Sequence, residues 1–199
     1  MGEELNRASV EDRIARLTEQ TDELYREEET VVVPEERFPD EIAMSENGYV
    51  GSAYGWVIRR PDAAPPLSES MRNDVVMDRS RVLMILGRGG TRWGIPGGGI
   101  EDGETCEETV VREVQEETGI ECTPTQPFGI RHERRTADGF ETILHTLRAV
   151  FDARFVEGRL RIQPGELAGA AWFAERSDSI HPLARPRAAR WFNDEAPDQ

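Results

Sequence analysis

Apolar residues fall into distinct rhythms along the chain. Near the start, Val10, Ile14, Leu17, Thr21 and Leu24 recur at spacings of four, three, four and three. One face of a helix from about residue 10 to residue 28 would carry them all, because 3.6 residues complete each turn. Ser9 followed by Asp12 resembles a capping-box start, with Asp where Glu or Gln is usual. Two heptads are too few for a coiled coil. Such a helix either lies on its own domain or forms a dimer contact. The run Val31-Val32-Val33-Pro34 ends it and suits an edge strand, the place in a sheet where proline is tolerated. Residues 37 to 48 read as a loop.

From Gly48 the texture changes. Tyr49 to Ile58 is rich in strand formers and punctuated by glycine, and Pro61-Asp62 and Pro65-Pro66 then mark a long loop. Val82-Leu83-Met84-Ile85-Leu86 is a continuous apolar run, as in a strand buried on both faces. Further strands are predicted at Phe128 to Glu133, Thr142 to Phe155, Arg159 to Ile162 and Ala170 to Ala174. One strong helix runs from about Thr105 to Thr118, and a short one from Pro186 to Phe192 has proline in its first turn. Strands and helices mixed in this order imply an α/β layered domain. The chain divides into an N-terminal arm of helix and linker (1–47), a main domain (48–192) and a C-terminal tail (193–199).

Composition narrows the classes. The 199 residues carry 39 acidic side chains against 24 basic ones, a net charge of −15. All the basic residues are arginine. Lysine-free acidity suits a protein dissolved in concentrated salt, where screening removes self-repulsion; a G- and C-rich genome explains it equally well. No apolar run approaches the roughly 18 residues of a membrane span, and the opening residues are acidic where a signal peptide is basic and then apolar. The charge also disfavours long nucleic acids, whose binding needs a basic face. Cys106 and Cys122 have neither disulfide-framework nor zinc-site spacing and read as free thiols of a reducing cytoplasm.

The acidity is concentrated in two places. Residues 1 to 46 hold fifteen acids against five arginines, and residues 98 to 120 hold eight against one. In the second stretch three glycines follow Pro96, then a carboxylate-rich turn, then the strong helix. There Glu113, Glu116 and Glu117 stand at i, i+3 and i+4 and share one face, where like charges repel. Val110, Val111, Val114 and Ile120 define its buried side. A divalent cation would cancel the repulsion, since hard cations prefer oxygen ligands and keep waters that phosphates replace. The glycines let backbone approach closely, and Gly119 sits where a left-handed cap closes a helix.

Gly98, five residues, Glu104, seven residues, then Arg112-Glu113-Val114-Gln115-Glu116-Glu117-Thr118-Gly119-Ile120 resembles the Nudix box with every fixed position filled. Trp93 to Gly98 resembles that family's lead-in strand and turn, and Glu166 its loop carboxylate before the last core strand. The resemblance implies an α/β/α sandwich with a mixed sheet and hydrolysis of a nucleoside diphosphate linked to a moiety X. It implies that Glu113, Glu116 and Glu117 bind Mg2+ or Mn2+, with the Gly97 carbonyl joining them. By the same resemblance Arg112 holds the box carboxylates in place and Glu104 has a structural or outer-shell role. Glu113 and Glu166 are both candidates for the general base.

Candidate substrate contacts are Arg88, Arg92, Arg131 and Arg134, whose guanidinium forks suit phosphate, together with Gly98 and Trp93. Phe128 and His132 are further candidates, and His145 reads as a sheet residue. The partner implied is a small nucleotide, either a triphosphate or a sugar nucleotide. The alternative is a binding or regulatory module of the same fold that senses a nucleotide without cleaving it.

Overall fold

The structure is a computed structural model that describes residues 2–63 and 79–194. The Pro65-Pro66 turn signal and the tail beyond Asp194 lie outside the described residues. Its elements in chain order are β1 (Glu4–Leu5), α1 (Arg7–Thr18), β2 (Tyr25–Val32), α2 (Phe38–Glu46), β3 (Gly51–Arg59), β4 (Arg81–Gly87), β5 (Gly97–Gly99), α3 (Cys106–Thr118), β6 (Ile120–Thr136), β7 (Ile143–Gly158), β8 (Leu167–Phe173) and α4 (Arg185–Asp194). A 3-10 turn at Pro182–Ala184 leads into α4.

The strands form a mixed sheet in the order β2-β6-β7-β3-β4-β8, with β1 on β7 and β5 on β3. The β1–β7 and β2–β6 pairs are parallel, while β3–β4 and β4–β8 are antiparallel. The expected α/β class with a mixed sheet is therefore present. The chain falls into two compact units, with β3, β5, α3, β6 and β7 passing from one to the other.

The first unit holds Met1–Tyr54, Gly98–Thr109 and Gln126–Phe151. Three readings of the arm need correcting here. Its helix stops at Thr18, whose hydroxyl donates back to the Ile14 carbonyl, and Tyr25–Val32 is a strand instead of further helix. Eight consecutive residues of that strand pair with Gly129–Thr136, and such pairing outweighs a helical rhythm that Thr21 and Leu24 extend only weakly. The helix also starts at Arg7, not after a Ser9 cap. Asn6, with φ 62°, precedes it and donates its side-chain amide to the carbonyls of Ser45 and Tyr49. Finally, the expected loop at 37–48 is mostly helix α2, with a proline in its first turn beside Asp40 and Glu41. Acids there complement the helix dipole. Val33, Phe38, Ala137 and Leu144 bury one another beneath it.

The second unit holds Gly55–Gly97, Val110–Thr125 and Asp152–Gln199. Val82, Leu83 and Met84 are fully buried, as a doubly covered strand requires. Gly55 lets helix α3 come close: a methyl group there would stand 2.9 Å from Val110 Cγ1. Helix α4 is anchored by Arg187, which donates to both carboxylate oxygens of Asp152 at 2.6 and 3.0 Å while buried near Trp56 and Trp191. The expected strand at Arg159 to Ile162 is not one. Instead, the amides of Arg161 and Gln163 donate to the Thr118 and Glu117 carbonyls, capping α3.

Candidate metal centre

Helix α3 starts because Thr105 and Glu108 satisfy each other's backbone. Glu108 accepts from the amide and hydroxyl of Thr105 at 2.8 Å, and the Glu108 amide donates to the Thr105 hydroxyl at 3.2 Å. That is a capping box, which occupies one of the box acids with structural work. Glu104 accepts from the Glu101 amide and the Thr109 hydroxyl, at 3.0 and 2.9 Å, and so ties down the turn ahead of the helix. Glu107 is held by the arm: Arg16 donates to both its oxygens at 2.9 and 2.7 Å, and Gln20 adds a third bond at 2.9 Å. Burial raises the Glu107 pKa, but these donors outweigh it and leave the carboxyl below its usual range.

The remaining glutamates lie along the other unit's part of the helix. Val110 and Val114 are fully buried, whereas Val111 is 38% exposed and leaves the buried side expected for it. One position along a helix turns a side chain by about 100°, which carries Val111 off the core face. Glu117, one turn after Glu113, is only 9% exposed and accepts a hydrogen bond from the Gly97 amide at 2.9 Å. Burial pushes its carboxyl up to about 7 against the lowering effect of that amide, and the charges of Glu113 and Glu166 push the same way. Arg112 donates to Glu113 at 2.8 Å and to Glu116 at 3.3 Å, so one guanidinium spans two box carboxylates. Gly119 follows with φ 70° and donates its amide to the Gln115 carbonyl, the left-handed close expected of it.

Among the described residues no three acidic, histidine or cysteine side chains already converge as a metal cage. The donor set nevertheless suits a hard divalent cation. A buried carboxylate with two more carboxylates close enough to raise its pKa gathers oxygen donors of one sign, and oxygen-only donors are what Mg2+ or Mn2+ accept. Glu166 is exposed, and its backbone carbonyl accepts from the Arg88 amide at 2.8 Å. It is the amide of Gly97 that meets Glu117.

The substrate candidates are placed unevenly. Arg88 and Arg92 have exposed side chains in the second unit. Trp93 packs edge-on against Phe173 with ring centres 4.9 Å apart, a packing role. In the first unit Gly98 stands at the box turn, while Arg131 is engaged by Glu27 at 2.8 Å and Glu29 at 3.6 Å. Arg134 is exposed and Phe128 half-buried. His132 Nε2 and His145 Nδ1 share a hydrogen bond at 2.8 Å, with His145 buried in the sheet. Sequence reasoning missed the Arg13 and Arg16 contacts to the box, made to the Glu104 carbonyl and the Glu107 carboxylate. No spacing rule links positions 91 apart.

A family model described as "NUDIX domain" matches residues 71–192. The putative mutator protein MutT4 of Mycobacterium tuberculosis is 39% identical over 100 residues, covering 47% of this chain and 38% of that protein. The NAD-capped RNA hydrolase NudC of Vibrio vulnificus is 38% identical over 87 residues, 44% of this chain and 30% of its own. The nucleoside triphosphatase NudI of an Enterobacter species is 38% identical over 66 residues, 31% of this chain and 47% of its own. The chain thus spans less than half the length of each of these relatives. A crystal structure of a MutT Nudix hydrolase from Burkholderia pseudomallei aligns with a TM-score of 0.48 at 20% identity, covering 70% of this chain and 95% of that one. With the family model spanning more than half of its residues, the chain belongs to the Nudix hydrolase family.

Proposed function

We propose that the chain hydrolyses a diphosphate bond in a small nucleotide, a nucleoside diphosphate linked to X, and releases a nucleoside monophosphate. The observation that carries this is Glu117, buried against the Gly97 amide with Glu113 and Glu166 adding negative charge around it. Names of the relatives support a nucleotide substrate: they include a nucleoside triphosphatase, NAD-capped RNA hydrolases and a putative 8-oxo-dGTP diphosphatase.

Glu113, Glu116 and Glu117 would hold Mg2+ or Mn2+, with the Gly97 carbonyl as a further oxygen. When bound, the ion neutralises diphosphate charge and makes a coordinated water more acidic. The protein's own groups do the rest. The Gly97 amide fixes one Glu117 oxygen. Arg112 restrains Glu113 and Glu116, which reduces the rotamer entropy lost on binding. Glu113 or Glu166 takes the proton from the attacking water. Arg88 and Arg92, exposed on the same unit, would meet phosphate oxygens through their guanidinium forks. The test is nucleoside monophosphate release from a nucleotide panel with and without Mg2+. Activity that persists undiminished in excess chelator would overturn the metal-dependent reading.

A further inference from the structure

We propose that a cavity where β4 begins and β8 ends, walled by Arg79, Arg81, Trp172 and Arg176, binds a phosphate group at a site separate from the metal centre. All of these residues belong to the second unit, and the proposal stands independently of the hydrolase reading. The cavity measures about 550 Å3, within the range for small-ligand sites. Three guanidiniums line it against one carboxylate, Glu175, a local positive excess in a chain of net charge −15. Glu175 stands 3.7 Å from Arg79 with its side chain 86% exposed, so it screens little of that charge. Neither Arg81 nor Arg176 is held in an ion pair among the described residues.

Sheet register explains the clustering. Arg59 lies opposite Arg81, and Leu83 lies opposite Trp172. Side chains alternate along a strand and opposed residues share a face, so Arg59, Arg81 and Trp172 stand on one face of the sheet. Arg59 is buried there, its guanidinium 4.8 Å from the Phe155 ring centre and 5.8 Å from that of Trp172. Burial, and then the charge of Arg81, hold the Arg59 pKa below its ordinary value. The second observation is a shortage of acceptors. Arg81 Nε and the indole nitrogen of Trp172 are both buried with no hydrogen-bond partner, and Trp172 as a whole is only 9% exposed. Guanidinium and indole N–H groups donate and never accept. A phosphate, which accepts on its oxygens and brings up to two negative charges, answers both the charge and the donors. A carboxylate brings one charge, and a metal cation would meet repulsion. Guanidinium forks also match phosphate geometry.

Position separates this cavity from the carboxylates of the same unit. Strand β4 has seven residues, a length of about 20 Å. Arg81 is at its start, and just past its end the Arg88 amide donates to the carbonyl of Glu166. Glu166 is the carboxylate whose charge reaches Glu117. A diphosphate held among those carboxylates therefore does not extend to Arg81 and Trp172.

Isothermal titration in excess EDTA and at constant ionic strength tests the proposal, with inorganic phosphate, glycerol 3-phosphate and acetate as probes. At least one phosphate probe should bind about ten-fold or more tightly than acetate. Which of the two binds better tells a free phosphate from an esterified one. Arg81→Gln should weaken that binding about five-fold or more, and so should Arg176→Gln, at an exposed position that does not threaten folding. Arg154→Gln, which removes an exposed arginine elsewhere on the same unit, should leave it within about two-fold. Acetate binding as tightly as phosphate, no binding of either phosphate probe, or wild-type affinity in both Arg81→Gln and Arg176→Gln overturns the proposal. So does loss of binding in Arg88→Gln with Arg81→Gln unaffected, which would assign the phosphate to the metal centre.

Discussion

The amide of Gly97 donates to Glu117 Oε2 at 2.9 Å, joining the glycine-rich turn to the last box glutamate across twenty residues of sequence. That one bond fixes one oxygen of a buried carboxylate, yet it does not offset the cost of burying the charge.

A pH dependence follows for the metal-free protein. Its folded state keeps the Glu117 proton up to about pH 7, whereas an ordinary carboxyl releases it near 4.5. Between those values the folded state binds more protons, so stability falls as pH rises. In EDTA the free energy of unfolding should drop by about 3 kcal/mol across that window, and Glu117→Gln should flatten the drop. Urea titrations at pH 5 and pH 8 check this, and the sign should hold even if screening halves the size.

The buried Arg187–Asp152 pair anchors α4. Asp152→Ala leaves a guanidinium that is 3% exposed without its carboxylate, and should cost about 3–5 kcal/mol. Replacing both partners with apolar residues should cost far less. Denaturant midpoints of the two variants decide the matter.

The arm's grip on the box is a surface matter. Arg16 and Glu107 are 41% and 29% exposed, so a double-mutant cycle should return a coupling of about 0.5–1 kcal/mol that shrinks in high salt. Because the Glu107 pKa is lowered, this contribution is present above the ordinary carboxyl range and fades as pH falls through it.

Gly119 has φ 70° and backbone close by, since a methyl there would stand 2.9 Å from the Arg159 carbonyl oxygen. Gly119→Ala should therefore destabilise by about 1–3 kcal/mol, read by thermal unfolding. Gly103→Ala, with φ 82° and nothing within 4 Å, isolates the backbone part of that cost.

Elements with strong local signals were legible in sequence. The box helix announces itself through valines four apart at 110 and 114, a Thr-Cys-Glu-Glu start and a glycine stop. The Val82 strand does so through an unbroken apolar run. The arm misled because its strand is made by a distant partner: Tyr25–Val32 carries four acidic and basic residues in a row, Arg26 to Glu29, and becomes a strand only by pairing with β6. Likewise, the spacing of the box shows which carboxylates share a helix face, but not that Glu107 and Glu108 are occupied by Arg16 and Thr105. Those partners are set by tertiary packing, which spacing along one helix does not encode.

The most direct test is 31P NMR of a nucleotide panel incubated with Mg2+ and either wild-type protein or Glu117→Gln, both verified as folded by circular dichroism. The account predicts nucleoside monophosphate release by wild type and a rate at least about a hundred-fold lower in the variant, within the range that loss of electrostatic stabilisation produces. Equal rates for the two proteins, or no release by wild type from any substrate, would contradict it.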